Sequence, residues 1–319
     1  MVNNKGVAMK NNILPVSVLI PTMNRPQALK RTIEGYLNAE YIPSQIVVVD
    51  QSENEEDAAA IREIVESQNI VKTVYYYQEN PSLTIARNNA FRLAEEEIII
   101  CSDDDVDVYL DTIKEVYELM ENSAVAMIAG LDDNMQIGRS KLGYILGTKS
   151  FINRKIGHVT ASMLGRFPES VGDWTQTMWA MGFFFVIRKS LVDKWKLKWD
   201  EKLKGYAYAE DLDFSYSYYK KARIEGLMCI ISGRVRVKHL ASQEYRTSSR
   251  KSTFMYVLNR AYLSYKHDMG IRSEMAMKWS NFWIYIERII RGNYPKDMKD
   301  ALKYLRKHRS KVRKGEFNY

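Results

Sequence analysis

Ile98-Ile99-Ile100-Cys101-Ser102-Asp103-Asp104-Asp105 is an apolar run that breaks abruptly into three carboxylates. A short apolar, β-branched run bounded by polar residues reads as a buried strand, here Glu97 to Cys101. Three adjacent carboxylates repel one another, and a bound cation relieves that repulsion. Magnesium and manganese prefer oxygen ligands and usually keep waters and phosphates in their shell. A strand-end acidic cluster is therefore suited to a metal-bound diphosphate. The competing reading is a solvated turn capping a helix that starts near Val108, a position Asp favours in any protein.

Upstream of this strand the chain alternates. Val16 to Ile20, Ile46 to Val49 and Val71 to Tyr77 read as three more strands. Between them Leu29, Ile33, Tyr36 and Leu37, then Ile61, Ile64 and Val65, fall at helical spacing, and Leu83 to Ala94 gives a third helix. Strand and helix in strict turn imply right-handed crossovers and a mostly parallel sheet covered on both faces, an α/β fold. Ligands of such sheets bind beyond the carboxyl ends of the strands. The residues to watch are thus Thr22 to Arg25, Asp50 to Ser52 and Ser102 to Asp105.

Downstream the pattern is less regular. Asp133 to Pro168 carries five glycines and several basic residues and reads as loops with short elements. Met178 to Ile187 is strand-like but interrupted by Gly182, and Tyr208 to Ala222 reads as a helix. Leu227 to Ile231 and Val235 to His239 read as two short strands. Phe254 to Tyr265, Met275 to Ile290 and Lys296 to Val312 then read as helices. These elements suggest a disordered lead at 1–12, a catalytic domain at 13–245 and a basic helical extension at 246–319.

Composition narrows the function classes. With 319 residues and 46% hydrophobic content the chain can bury a sizeable core. The formal net charge is +8, and it is unevenly placed. From Arg246 onward there are 18 Lys and Arg against 6 Asp and Glu, whereas the rest is mildly acidic. Such asymmetry points the tail toward something anionic, or else makes it a solvated helical surface. Cys101 and Cys229 both sit among apolar residues and form no Cys-x-x-Cys, which fits a reducing compartment. Met1 to Asn12 is polar and lacks the apolar stretch of a signal peptide. No run approaches the roughly 18–20 apolar residues of a membrane-spanning helix. The expected location is cytoplasmic, with a peripheral place at the inner membrane face for the basic tail; homo-oligomerisation stays open.

Two further groups carry chemistry. Glu210, Asp211 and Asp213 follow an aromatic stretch, Tyr206-Ala207-Tyr208. A partly apolar setting lets a carboxylate act as a base toward a hydroxyl, although acids at a helix start also satisfy its dipole. His239 ends a strand, where an imidazole can complete a shell begun by carboxylates. His158, His267 and His308 show no acidic neighbourhood in the sequence.

Taken together these features resemble a family 2 glycosyltransferase with the GT-A fold, a Rossmann-like sheet flanked by helices. The resemblance begins at Val18-Leu19-Ile20-Pro21-Thr22-Met23-Asn24-Arg25 and continues through Val47-Val48-Val49-Asp50-Gln51-Ser52. It passes through Ala86-Arg87-Asn88 to Asp103-Asp104-Asp105 at the Asp-x-Asp position, Glu210-Asp211 and His239. It implies that Pro21, Thr22 and Arg25 border the nucleotide, that Asp50 contacts base or ribose, and that Arg87 lies near the diphosphate. Asp103 and Asp104 would face the ribose and metal, and Asp105 would be the principal ligand of Mn2+ or Mg2+, with Asp103 and His239 in the shell. Asp211 would be the base, with Glu210 as its alternative. Gly182 would let a ligand approach the backbone, and Trp174, Trp179 and Phe183 to Phe185 would edge the acceptor site.

The resemblance also implies an inverting, non-processive, hexosyltransferase-like enzyme of polysaccharide or glycoconjugate synthesis. It would take a nucleotide-diphosphate sugar, with UDP the first choice, and a glycan or lipid-linked acceptor. Gln51 departs from the acidic or Asn residue of many relatives, which weakens the case for uridine. Gln243-Glu244-Tyr245-Arg246 does not supply the Gln-x-x-Arg-Trp of processive synthases. Two rival classes remain at this stage. A nucleotidyltransferase usually has a glycine-rich first loop, and Pro21 to Pro26 has no glycine. A nucleic-acid-binding protein would explain the basic tail but not the strand-end acids, so no nucleic-acid partner is expected.

Overall fold

The computed structural model describes residues 12–134, 141–147, 155–240 and 247–319. The apolar runs expected to be strands each contain one; β1 and β2 are longer than predicted, whereas only the end of the Met178 to Ile187 run, from Phe184, is strand. In chain order the first half is β1 (Asn12–Thr22), α1 (Pro26–Leu37), β2 (Tyr41–Asp50), α2 (Glu55–Glu66), β3 (Lys72–Tyr77), α3 (Leu83–Leu93) and β4 (Ile98–Ser102). Next come β5 (Val106–Val108), α4 (Thr112–Glu121), β6 (Val125–Asp132), α5 (Lys141–Ile145), β7 (His158–Val159), β8 (Gly165–Arg166) and β9 (Thr175–Gln176). The last part is β10 (Phe184–Arg188), α6 (Lys189–Trp195), α7 (Glu210–Ile224), β11 (Met228–His239), α8 (Ser249–Lys266), α9 (Gly270–Arg291), α10 (Pro295–Lys307) and α11 (Arg309–Arg313). The expected disordered lead falls almost wholly outside the described residues, as do parts of the Asp133 to Pro168 region.

One nine-stranded sheet runs in the order β3-β2-β1-β4-β10-β6-β11-β5, with β9 added on β11. Pairing is parallel through β3-β2-β1-β4 and again at β6-β11. β10 slots between β4 and β6 in the antiparallel sense, and β5 and β9 also pair antiparallel with β11. The period-2 alternation of β1 explains the two-sided cover. Val16, Val18 and Ile20 join Leu29, Ile33 and Ile61 on one face, while Leu19 joins Ala86, Ala90, Phe214 and Tyr218 on the other.

Three expectations are corrected. No helix starts near Val108: the residues after the acidic triplet form β5, and α4 begins only at Thr112. The two short strands near the end of the sheet are one strand, β11, whose register shifts between Ile231 and Arg236. Gly172 crowds that shift, its carbonyl accepting from Gly233 N–H at 3.0 Å. The last helix divides into α10 and α11 at His308.

A third apolar cluster ties the C-terminal helices to the sheet domain. Phe254, Leu258 and Leu263 of α8, with Met298, Ala301, Val312 and Phe317, close over Leu203, Ala207 and Leu212. The apolar positions of α10 and α11 thus point inward: Met298 and Val312 are buried, and Leu302 and Leu305 pack against the same cluster. Lys296, Lys299, Lys303, Arg306 and Lys307 remain exposed. Among the described residues no helix is long and apolar enough to cross a membrane.

Candidate active site

Sheet register assembles the site. Phe184 pairs with Ser102, so the backbone carbonyl of Phe183 accepts from Asp103 N–H at 3.0 Å. β11 pairs with β5 and sets His239 opposite Val106, and Leu240 N–H donates to the Asp105 carbonyl at 2.9 Å. Thr32 of α1 donates to the Asp104 carbonyl and accepts from Val106 N–H, at 2.8 and 3.1 Å. The acidic triplet is therefore pinned from three sides.

The three aspartates have different surroundings. Asp104 is fully buried and is held by Thr22 Oγ1 at 2.7 Å and by Arg25, whose Nε donates at 3.1 Å. Burial lifts this carboxyl well above the usual carboxylate range, although Arg25 and Thr22 oppose it. Asp104 thus anchors the loop after β1. Asp103, Asp105 and His239 turn elsewhere: each offers a ligand atom within 4.8 Å of the others'. His239 Nε2 lies 3.2 Å from Asp105 Oδ1, and that hydrogen bond, against burial, raises the imidazole above its ordinary value. Phe183 stacks on the His239 ring at 5.5 Å and orients it. Two carboxylates converging this closely fit the oxygen preference of manganese or magnesium, and the imidazole adds one nitrogen donor, which suits a transition ion better than magnesium.

A second group faces this one across Gly182. Arg87 is buried; it donates from Nε to Glu210 at 2.9 Å, and from Nη2 to Asp103 at 3.1 Å and to the Gly182 carbonyl at 3.0 Å. Burial opposes its charge, but Glu210 and Asp103 outweigh that and keep it firmly protonated. Glu210 lies beneath Arg87, and burial raises its pKa. Asp211 is only half-buried. Its Oδ2 accepts from Gly182 N–H at 2.7 Å and its Oδ1 from Leu212 N–H at 2.7 Å. Burial raises Asp211 too, against those two bonds. A Cβ on residue 182 would sit 3.1 Å from Arg87 and 3.3 Å from Asp211, so glycine leaves room for both side chains.

The remaining expected residues lie at the ends of β1 and β2. Pro21 and Thr22 close β1 beside Val49 and Asp50. Asp50 accepts from Ser52 N–H and Oγ at 2.9 and 2.6 Å and from Tyr75 at 2.9 Å. Gln51 accepts from Ser82 N–H at 2.7 Å. Asn24 takes a left-handed φ of 53° and donates its N–H to Ser52 Oγ at 2.8 Å, which joins the two loops. The aromatic expectation divides: Phe184 and Phe185 are plain core, Trp179 is buried against Phe167, and Trp174 stays half exposed.

Several contributors have tasks that the sequence did not show. Ala207 and Ala209 take positive φ values of 52° and 69° directly before Glu210. Such strain at non-glycine residues clusters at functional sites, and here it turns the chain into α7. Asn88 holds Trp199 through N–H and carbonyl at 2.9 and 3.0 Å and so fixes the lead into that turn. His267 does have an acidic partner, contrary to the sequence reading: its Nε2 lies 2.8 Å from Asp213 Oδ1. Asp213 therefore faces α8 rather than the site.

A protein-family model described as glycosyl transferase family 2 matches residues 17–195, more than half of the chain. No curated protein matches it significantly by sequence. Solved structures do share its fold. One is the mannosyltransferase PcManGT from Pyrobaculum calidifontis, in complex with GDP-Man and Mn2+, at 13% identity and a TM-score of 0.56 over 93% of this chain and 79% of that one. A second is GalNAc-T7 with UDP, GalNAc and Mn2+, at 20% identity and 0.58, over 89% of this chain and 58% of the other. A third is the 1–349 fragment of TarS from S. aureus, at 15% identity and 0.51, over 95% and 88%. The sheet is thus of the GT-A type, and the chain is a glycosyltransferase belonging to glycosyl transferase family 2.

Proposed function

We propose that this enzyme transfers a sugar from a nucleotide diphosphate to an acceptor hydroxyl with inversion, in one displacement. The observation that carries this reading is the approach of two groups over Gly182: Asp103, Asp105 and His239 on one side, and Asp211 on the other. Asp211 is the base. It is the half-buried carboxylate of the pair, whereas Glu210 is closed off beneath Arg87. Its raised pKa suits it to take a proton from the attacking hydroxyl. Gly182 N–H and Leu212 N–H hold that carboxylate in one orientation.

Asp103, Asp105 and His239 would hold a divalent cation, Mn2+ or Mg2+. When bound, it would offset charge developing on the leaving diphosphate. Arg25 brings a guanidinium to the same edge, and Arg87 keeps Asp103 and the Glu210-Asp211 pair in fixed relation. Pro21, Thr22, Asp50 and Gln51 shape the nucleotide pocket. The GDP-Man and UDP bound by structural neighbours support a nucleotide-diphosphate sugar as donor, and UDP is our first choice. The acceptor would be a glycan or a lipid-linked hydroxyl of cell-surface polysaccharide or glycoconjugate synthesis. A lipid-linked acceptor would bring the enzyme to the inner face of a membrane.

The test is a panel of UDP-, GDP- and dTDP-sugars with manganese, read by nucleoside diphosphate release with and without acceptors. Release that is selective for one donor and stopped by chelation is expected. Release that survives exhaustive chelation would remove the cation from this reading.

A further inference from the structure

Helix α9 is built inside out. Its inward side carries Ser273, Ser280 and Asn281, all buried, with Met277. This side is polar because it meets a buried arginine of α8: Asn281 Oδ1 accepts from Arg260 Nη1 at 3.0 Å, and Ser273 and Ser264 hydroxyls lie 2.6 Å apart. The outward side carries Ile271, Met275, Trp279, Phe282, Ile289 and Ile290, all exposed, with Ile271 at 74% and Ile290 at 79%. They recur at helical spacing along 22 residues, a stripe about 33 Å long at 1.5 Å per residue. Leu142 and Ile145 of α5, also exposed, lie beside it, since Trp279 Nε1 donates to the Ile145 carbonyl at 2.8 Å. A patch of this extent on a protein surface marks an interaction site.

The charges beside the stripe say what covers it. The exposed charged residues of α9 are Arg272, Lys278 and Arg291. Its two acids are turned to cations, Glu274 to Arg309 and Arg313, and Glu287 to Arg291. At the C-terminal end a cleft of about 280 Å3, lined by Arg288, Arg291, Ser249, Ser252 and Tyr294 and by Glu287, which is paired to Arg291, opens beside Ile289 and Ile290. A second copy seated on this face would bring Arg272 and Lys278 against equally basic residues. Apolar and aromatic residues along one line, with three exposed cations on α9 against one exposed acid, Asp268, at its N-terminal end, match instead the boundary between acyl chains and anionic headgroups.

We propose that α9, with Leu142 and Ile145 of α5, docks the enzyme on an anionic lipid surface by lying in the interface plane without spanning it. Within the basic tail that the sequence pointed at a membrane, helix α10 supplies charge only, because its apolar side is packed against α8. This reading does not depend on the donor or acceptor.

The experiment is flotation of the full chain with vesicles of phosphatidylcholine alone and of phosphatidylcholine with phosphatidylglycerol, alongside light scattering of the free protein. The wild type should float with the anionic vesicles only. Phe282→Ser with Ile289→Ser should lower partition at least about tenfold, because each change removes a large apolar side chain from the interface. Arg272→Glu with Lys278→Glu should lower it by about fivefold or more per residue and weaken its salt dependence. All of these residues are exposed and none is a partner of Asp211, so nucleotide-sugar hydrolysis in solution should not change. That readout separates failure here from failure of the transferase reading. Absence of flotation by the wild type overturns the proposal. So does a dimer that Phe282→Ser with Ile289→Ser converts to monomer while flotation is unaffected.

Discussion

At the scale of single residues, the neighbouring carboxylates of each acidic group have different tasks because their surroundings differ. Asp104 is buried under Arg25, while Asp103 and Asp105 meet His239. Glu210 is tied to Arg87, while Asp211 is held by backbone N–H groups. Asp211→Asn should therefore cut transfer by about 10²–10⁴-fold, the usual worth of a positioned base, while donor affinity by calorimetry stays near wild type. Lost donor affinity with intact chemistry would move Asp211 into the donor pocket. The sign of the pH dependence follows from burial. Asp211 works as the carboxylate, and its pKa lies above 3.8, so transfer is present above that raised value and falls as pH drops through it. An acidic limb of kcat/KM at or below 3.8 would contradict the assignment. Asp105→Ala should abolish cation-stimulated transfer and leave the circular dichroism spectrum unchanged; full stimulation by manganese in that variant would exclude Asp105 as a ligand.

At the scale of elements, the strand ends deliver the acidic triplet and His239, while α3 and α7 deliver Arg87, Glu210 and Asp211. The lead into α7 shows how the two are joined. Trp199 is buried and stacks on Phe214 of α7 at 3.8 Å, with Asn88 of α3 bonded to its backbone. Ala207 and Ala209 then bend the chain with positive φ into Glu210. Trp199→Ala should cost about 3–5 kcal/mol of stability, as large aromatic deletions do, measured by urea unfolding. It should also reduce transfer below the fold's melting point, because the turn that aims Asp211 loses its support. A variant destabilised to this degree but with full specific activity would show that the turn holds itself.

Across the whole molecule, the C-terminal helices complete the site from behind. Lys202 donates to the Lys314 carbonyl at 3.0 Å, Lys204 to Asn318 at 3.1 Å, and Asn259 to the Tyr208 carbonyl at 2.8 Å. Val312 and Phe317 close the cluster over Leu203 and Ala207. Removing residues 309–319 should therefore lower both thermal stability and transfer, since it uncovers the loop that precedes Glu210 and Asp211. A truncated protein with unchanged melting temperature and rate would show that this tail is dispensable.

Local pattern was enough for the sheet, because burial on two faces writes itself into apolar runs such as Val16 to Ile20 and Ile98 to Ile100. It was also enough for the acids, because a carboxylate cluster at a strand end is visible without any contact. The task of each acid was not legible. Asp103 and Asp105 separate from Asp104, and Asp211 from Glu210, chiefly through partners remote in the chain: Arg25 for Asp104, Arg87 for Asp103 and Glu210, His239 for Asp105 and Gly182 for Asp211. The antiparallel β10 was not legible either, since an apolar run does not record its direction. Nor was the outward apolar face of α9. The period of a helix states that it has two faces, but which one is inside depends on the neighbour, and here the neighbour is the buried Arg260.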